Sequence, residues 1–470
     1  MPSKLNLGQP KHAHFIGIGG ISMSALAEVL LKRGWQVSGS DLCHSTHTER
    51  LAQAGATIYY DHKASNVETA QVIFYTSAIR PENPELRRAS ELDIPIYTRG
   101  QLLGALMAEA KFGIAVAGTH GKTTTTSMLG LIFEAAKLES TILVGGELDA
   151  IHGTVKLGNG DYFVAEACEY YDNFLNLRPN LGVILNIEAD HHDYFADIEH
   201  IKRSFRRFAE LLPSTGHLVA YNDDPNVRAI LPGLGSKVIT FGLDEGSEWR
   251  AINLEAHCGG SSCDILHHEQ LVGHVVLHVP GIHHVKNALA AIAVAHIVGL
   301  DMATCIKGLD LYKGAHRRFD LRGEYNGAHL YDDYAHHPSE IKATLAAAKT
   351  FNADRIISVF QPSTYTRTKA LLDDYLTSFS DSDMVLVTDI FMAREVETFG
   401  ITAGIVADLM KQNHPNVCHI GSLQDAAIYL SKELRPGDMV ITMGIGDVWR
   451  TIDMLLGKEP MQPQPTVQAQ

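Results

Sequence analysis

The stretch FGIAVAGTHGKTTTT, residues 112–126, reads as a buried apolar strand, a glycine turn and the start of a helix. In Gly118-Thr119-His120-Gly121-Lys122-Thr123-Thr124 the glycines let backbone N–H groups close around phosphate oxygens, and the helix N-terminus adds a favourable dipole. Lys122 is placed to reach the β- and γ-phosphates of a nucleotide, and the Thr123 hydroxyl to face Mg²⁺. The stretch is not the standard phosphate loop, because Val116 stands where the longer motif has its first glycine. A glycine turn with a solvated lysine would look similar, but the strand–turn–helix context points to a nucleotide. Two more apolar strands follow, YFVAEACE and LGVILNI, each ending in polar residues. Ligands of open parallel sheets gather at those carboxyl ends. Glu166 closes one strand, and His191 follows the other in NIEADHH. A carboxylate and an imidazole on the edge of the glycine loop are suited to hold Mg²⁺ against phosphates.

The same strand–helix alternation extends on both sides. Towards the N-terminus, HFIGI, SMSALAEVLLKRG, QVSGSD, VIFYTSAI and IPIYTR describe a doubly wound parallel sheet over residues 1–107. Gly17, Gly19 and Gly20 lie at its first strand–helix junction, and Asp41 ends the next strand. Ser22 replaces the third glycine of a dinucleotide motif. This is weak support for an NAD-dependent oxidoreductase and better support for a pyrophosphate cradle, which Ser40 and Ser77 would join. The central unit, 108–321, continues with strands and hairpins over about 236–280 and an alanine-rich helix from Gly281 to Gly299. A third α/β unit, 322–470, opens at HLYDDYAHHP and contains RIISVFQP, MVLVTDI and DMVITMG. The tail from Gly457 is rich in proline and glutamine and reads as disordered.

The bulk numbers agree with this reading. The 470 residues are 45% hydrophobic and 20% charged, as in an ordinary soluble protein. A net charge of −15 excludes a general nucleic-acid binder. No apolar run reaches the ~18 residues of a membrane span, and the first residues lack the apolar core of a signal peptide. Six scattered cysteines fit a reducing cytoplasm. His257, Cys258, Cys263, His267 and His268 raise the question of zinc. Their spacing matches no known zinc pattern and their flanks alternate as in strands, so an exposed hairpin is preferred.

Together the motifs GTHGKT, EACEYYDNF, NIEADHHDYF, GIHHVKNALAA, RRF, DDYAHHPSE and FQPSTYTRT, in this order over residues 12–455, resemble the Mur ligases of peptidoglycan synthesis. FIGIGGISMSALAEVL and DDYAHHP are most similar to the branch that joins L-alanine to UDP-N-acetylmuramic acid. The resemblance implies a Rossmann-like UDP-sugar domain, a central ATPase domain with a phosphate loop and parallel sheet, and a Rossmann-like amino-acid domain. It implies ATP and Mg²⁺, with Gly17, Gly19 and Gly20 near the UDP diphosphate. It places Lys122 and Thr123 on ATP, and Thr123, Glu166 and His191 on the metal. Asn287 is implied at the adenine, Arg317 at a phosphate, and His336 and Arg367 at the alanine and product. Lys122, His336 and Arg367 are thus the implied catalytic set. A monomer or homodimer in the cytoplasm is expected, with no nucleic acid or membrane partner. His284, Cys168, Glu169, Ser363 and Thr364 depart from the common family pattern. A ligase that attaches a recycled peptide is the rival within the family.

Overall fold

The computed structural model describes residues 5, 7–9, 11–151, 153–393, 395 and 397–461. The last nine positions of the proline- and glutamine-rich tail lie outside the described residues. Three sheets organise the chain. The first has five parallel strands, in the spatial order Thr57–Tyr59, Gln36–Ser40, His12–Ile16, Val72–Tyr75 and Ile96–Thr98. The chain leaves His12–Ile16 at the point where the strand order reverses, which is where open α/β sheets form a crevice.

The second sheet has ten strands. Its middle is parallel: Leu181–Ile184, Phe112–Ala117 and Tyr162–Glu166 lie side by side. These strands are buried on both faces, which explains their continuous apolar sequences. One flank carries the hairpins expected over 236–280, as Trp249–His257, Gly260–His267 and Gln270–Leu277. The other flank adds Thr141–Leu148 and Gly153–Lys156, an antiparallel pair. That pair escapes a sequence reading, because TILVGGEL carries a double glycine that resembles a turn.

The third sheet has six strands, and Asp320–Tyr325 at its edge pairs antiparallel with Ala328–Asp333. Asp320, just before position 321, therefore already belongs to this sheet. At the other junction, the helix Arg99–Glu109 runs across position 107 and is started by a Thr98–Gln101 capping box. Among the described residues no helix is long and apolar enough to cross a membrane.

The helix after the glycine loop, Lys122–Ala135, begins with four threonines. Threonine is a poor helix former, so propensity does not explain this helix. Packing does: every residue from Thr123 to Phe133 is buried. The alanine-rich helix Ile282–Ile297 packs against it. On that helix His284 is 3% exposed, and its Nδ1 lies 2.7 Å from the Pro280 carbonyl. Burial pushes its pKa down to about 4. The native state thus keeps His284 neutral while the unfolded chain protonates near pH 6.5. Stability is fully present above about 6.5 and falls as the pH drops towards 4, by about 3 kcal/mol in all. His284→Asn, which keeps a donor for Pro280, should flatten this acid limb. Melting temperatures from pH 7 to 4 measure it, and parallel curves for both proteins would contradict the assignment.

Candidate active site between three domains

The glycine loop connects the strand Phe112–Ala117 to the helix Lys122–Ala135. Gly121 caps the helix at φ +83°, and a Cβ there would come within 2.5 Å of Asn287 Oδ1. Glycine is therefore required both by its backbone angle and by the close approach of the alanine-rich helix. Asn186 fixes the loop: its Oδ1 accepts from the His120 N–H at 2.8 Å, and its Nδ2 donates to the His120 carbonyl at 3.1 Å.

Lys122 bends back over its own loop. Its ammonium donates to the carbonyls of Gly118 and Thr119 at 2.5 and 3.0 Å and meets Glu169 at 2.9 Å. Burial alone lowers a lysine pKa, but Glu169 overcomes this and raises it. Burial pushes the Glu169 carboxyl up, and Lys122 and His191 together hold it down at about 2. Glu169 is thus the counter-ion that keeps the loop lysine charged.

The expected metal ligands separate into two contacts. Glu166 accepts from the Gly145 N–H and meets the Thr123 hydroxyl, and burial raises its pKa. His191, at φ +52°, reaches Glu169 at 3.4 Å and stacks on Tyr170 at 4.3 Å. Thr123, Glu166 and Glu169 supply the hard oxygen donors that Mg²⁺ selects, beside a lysine suited to phosphate. The donor set fits the ion.

A cavity of about 840 Å³ opens over this loop. Lys122, Glu166 and His191 line it from the central unit, Ile21 and Ser22 from the first, and His336 and Arg367 from the third. A second cavity of about 430 Å³ holds Asn287, Lys286 and Tyr221. His120, Gly121, Arg318 and Glu340 wall both. Gly121 therefore stands on the wall between the two cavities.

The third domain closes on the central one through charge. Arg367 places Nε and Nη2 on Asp190 Oδ1 at 2.9 and 2.8 Å, and Nη1 on Ser363 Oγ at 3.2 Å. Ser363 and Thr364 therefore brace this arginine: Thr364 Oγ1 also caps the Arg367 N–H at 3.3 Å. Burial raises the Asp190 carboxyl, but Arg367 and His191 outweigh it and leave it well below the ordinary range. His336 turns Nδ1 to the Tyr334 carbonyl at 3.0 Å and Nε2 towards Asp190 at 3.9 Å. His120 reaches Glu340 at 3.0 Å and Glu188 at 3.5 Å. Burial lowers its pKa, yet these two carboxylates raise it to about 10.

Residues 12–111 match the Mur ligase family catalytic domain, 116–295 the Mur ligase middle domain, and 317–446 the Mur ligase glutamate ligase domain. The chain belongs to the Mur ligase family. It is 48% identical to the UDP-N-acetylmuramate–L-alanine ligase of Acetivibrio thermocellus, over 96% of this chain and 97% of that one. The ligase of the same name from Alkaliphilus metalliredigens is 46% identical, over 96% and 98%. The crystal structure of UDP-N-acetylmuramate–alanine ligase from Thermotoga maritima superposes with a TM-score of 0.82 at 26% identity, over 95% and 99% of the two chains. A murein peptide ligase from Psychrobacter arcticus gives 0.73 at 25%, over 95% and 98%.

Several expected ligand contacts are arranged differently from the sequence reading. Arg317 is engaged with Asp332 at 3.0 Å and with the carbonyls of Gly444 and Ile445 at 2.7 and 3.3 Å. Both arginines line the large cavity and lie 5.0 Å from the Tyr334 ring, but only Arg318 also walls the second cavity. Adjacent arginines in RRF look equivalent in sequence, and only the backbone direction separates them. Ser40 is fully buried and donates to Glu85 at 2.7 Å, so it faces the core of the first domain. Asp41 spends Oδ2 on the Gly19 N–H at 2.8 Å and Oδ1 on the Leu42 N–H at 2.8 Å. Both carboxylate oxygens thus help to shape the loop. Gly17, at φ +82°, has the Thr76 methyl 2.8 Å from where a Cβ would stand. Gly20 starts the helix Ile21–Lys32, and Ser77 is exposed.

Arg318→Ala should therefore raise KM for ATP by roughly ten- to a hundredfold, the worth of one charge-assisted hydrogen bond. Arg317→Ala should mainly lower the melting temperature, since it strands the buried Asp332. Steady-state kinetics and thermal melts of both variants check the assignment, and the opposite pattern would restore Arg317 to the phosphate.

Proposed function

We propose that this chain joins L-alanine to the lactyl carboxylate of UDP-N-acetylmuramic acid at the expense of ATP, a step of peptidoglycan precursor synthesis. One observation carries the reading: the phosphate-loop lysine, the His336–Arg367 pair and the first domain's helix start all face one cavity. The near full-length identity to ligases named for this reaction supports the same substrates. Residues 1–107 would bind the UDP-sugar, 108–321 ATP, and 322–470 the amino acid.

The sugar carboxylate attacks the γ-phosphorus of ATP, and ADP leaves. The acyl phosphate so formed is attacked by the alanine amine, and phosphate leaves as the amide forms. Lys122 and Arg318 stabilise charge on the transferring phosphoryl group, and no protein nucleophile is needed. Mg²⁺, held by Thr123 and Glu166 with His191 or Glu169 near it, would neutralise phosphate charge. His336 Nε2 faces the cavity near Asp190, where it can take the proton from the amine. The contacts from Arg367, His337 and Ser339 to the 188–190 segment draw the third domain over the site and keep water from the acyl phosphate.

Phosphate release should require the UDP-sugar, ATP, Mg²⁺ and L-alanine together. Equal turnover with a tripeptide in place of alanine would move the chain to the recycling reaction. Hydride transfer to NAD without ATP would overturn the class.

A further inference from the structure

The histidine and cysteine cluster of residues 257–268 is taken apart by the fold. Cys258 is exposed at one end of the strand Gly260–His267, and Cys263 is buried in the core. His257 pairs with Ser262 at 2.9 Å. His267 and His268 lie at the opposite end and meet a residue from outside the sequence cluster. Glu248 Oε1 stands 3.4 Å from His267 Nε2 and 3.6 Å from His268 Nε2. The three ligand atoms lie within 4.8 Å of one another. We propose that Glu248, His267 and His268 form a binding site for a borderline transition-metal ion such as Zn²⁺, remote from the phosphate loop.

The geometry supports this. Zinc–ligand bonds of about 2.0–2.1 Å in a tetrahedron put neighbouring ligand atoms about 3.3–3.4 Å apart. Both contacts to Glu248 are close to that edge, so small side-chain rotations bring in the metal. Two imidazoles and one carboxylate favour zinc, cobalt or nickel over Mg²⁺, which prefers oxygen. A water completes the fourth position.

The backbone presets the site. His268 and Glu269 form a two-residue hairpin turn at φ +48° and +61°, closed by the pairing of His267 with Gln270. The His268 N–H donates to the Glu248 carbonyl at 2.9 Å, and the Glu248 N–H to Thr240 Oγ1 at 3.0 Å. His267 is clamped on Trp249 with ring centres 4.1 Å apart and planes inclined by 15°. The ion would tie the entry of one strand to the turn between the next two, at the far end of the sheet's hairpin flank.

The test uses the full chain, stripped with chelator and kept in excess Mg²⁺. Zn²⁺ is titrated by calorimetry, and Co²⁺ by its visible absorption, which is intense in tetrahedral sites. Glu248→Gln and His268→Ala are compared with the wild type. His268 is exposed and Glu248 lies outside the core, so both variants should fold and turn over normally. Each should lose one equivalent of Zn²⁺, or bind it at least ~tenfold more weakly, and lose the tetrahedral Co²⁺ band. An unchanged Zn²⁺ isotherm in either variant, or no tetrahedral band in the wild type, overturns the site.

Discussion

Lys122→Ala should reduce kcat by roughly 10²- to 10³-fold, the cost of removing one preorganised charge from a phosphoryl-transfer site. The side chain also has a second partner that makes the experiment sharper. Its ammonium is 2.9 Å from Glu169, a carboxylate 3% exposed at its side chain. Removing the lysine leaves that carboxylate beside His191, 3.4 Å away, without its ammonium partner. Breaking a buried pair from one side costs up to about 3–5 kcal/mol, so some stability should go with the activity. The double variant Lys122→Ala, Glu169→Gln separates the two effects. It removes the stranded charge and should recover most of the melting temperature while turnover stays low. Phosphate release under saturating substrates and thermal melts provide both readings. If the double variant also recovers turnover, Lys122 serves its loop and not the phosphate.

The phosphate loop was legible in sequence because its chemistry is local. A strand, two glycines and a lysine within a dozen residues carry their own geometry. The three α/β units were legible for the same reason, since each parallel strand is an unbroken apolar run. What could not be read is what depends on distant pairing. Glu169 is 47 positions from Lys122, and Asp190 is 177 from Arg367. Nothing local marks either acid as a counter-ion, although both lie inside motifs. Arg317 and Arg318 show the limit most clearly. Arg317, at positive φ, is engaged with Asp332 of the third domain, whereas its neighbour Arg318 walls both cavities. The serine and threonine at 363 and 364, which depart from the common family pattern, hold Arg367 in place.

Arg367→Lys is the sharpest test of the amino-acid site. Guanidinium has five N–H donors in a planar fork. Three contacts are accounted for: Nε and Nη2 on Asp190, and Nη1 on Ser363. Two N–H groups remain, and the side chain lines the large cavity. Under the proposed function they would take the alanine carboxylate, the one charged handle on that substrate besides its amine. Lysine retains the positive charge and can still neutralise Asp190, which is 5% exposed and must not be left unpaired. As a single compact donor it cannot hold Asp190 and a second carboxylate in one plane. Loss of a charge-assisted hydrogen bond is worth about 1.5–3 kcal/mol, or roughly ten- to a hundredfold in binding. KM for L-alanine should rise by that factor while KM for ATP and for the UDP-sugar stays near the wild-type value. That pattern means lost binding of one substrate, not lost chemistry. If Arg367 were only a strut between domains, the lysine variant would loosen closure itself. The melting temperature would then fall, and the apparent affinities for all three substrates would weaken together. Varying each substrate in turn at saturating levels of the other two distinguishes the outcomes, and an unchanged alanine KM would remove Arg367 from the amino-acid site.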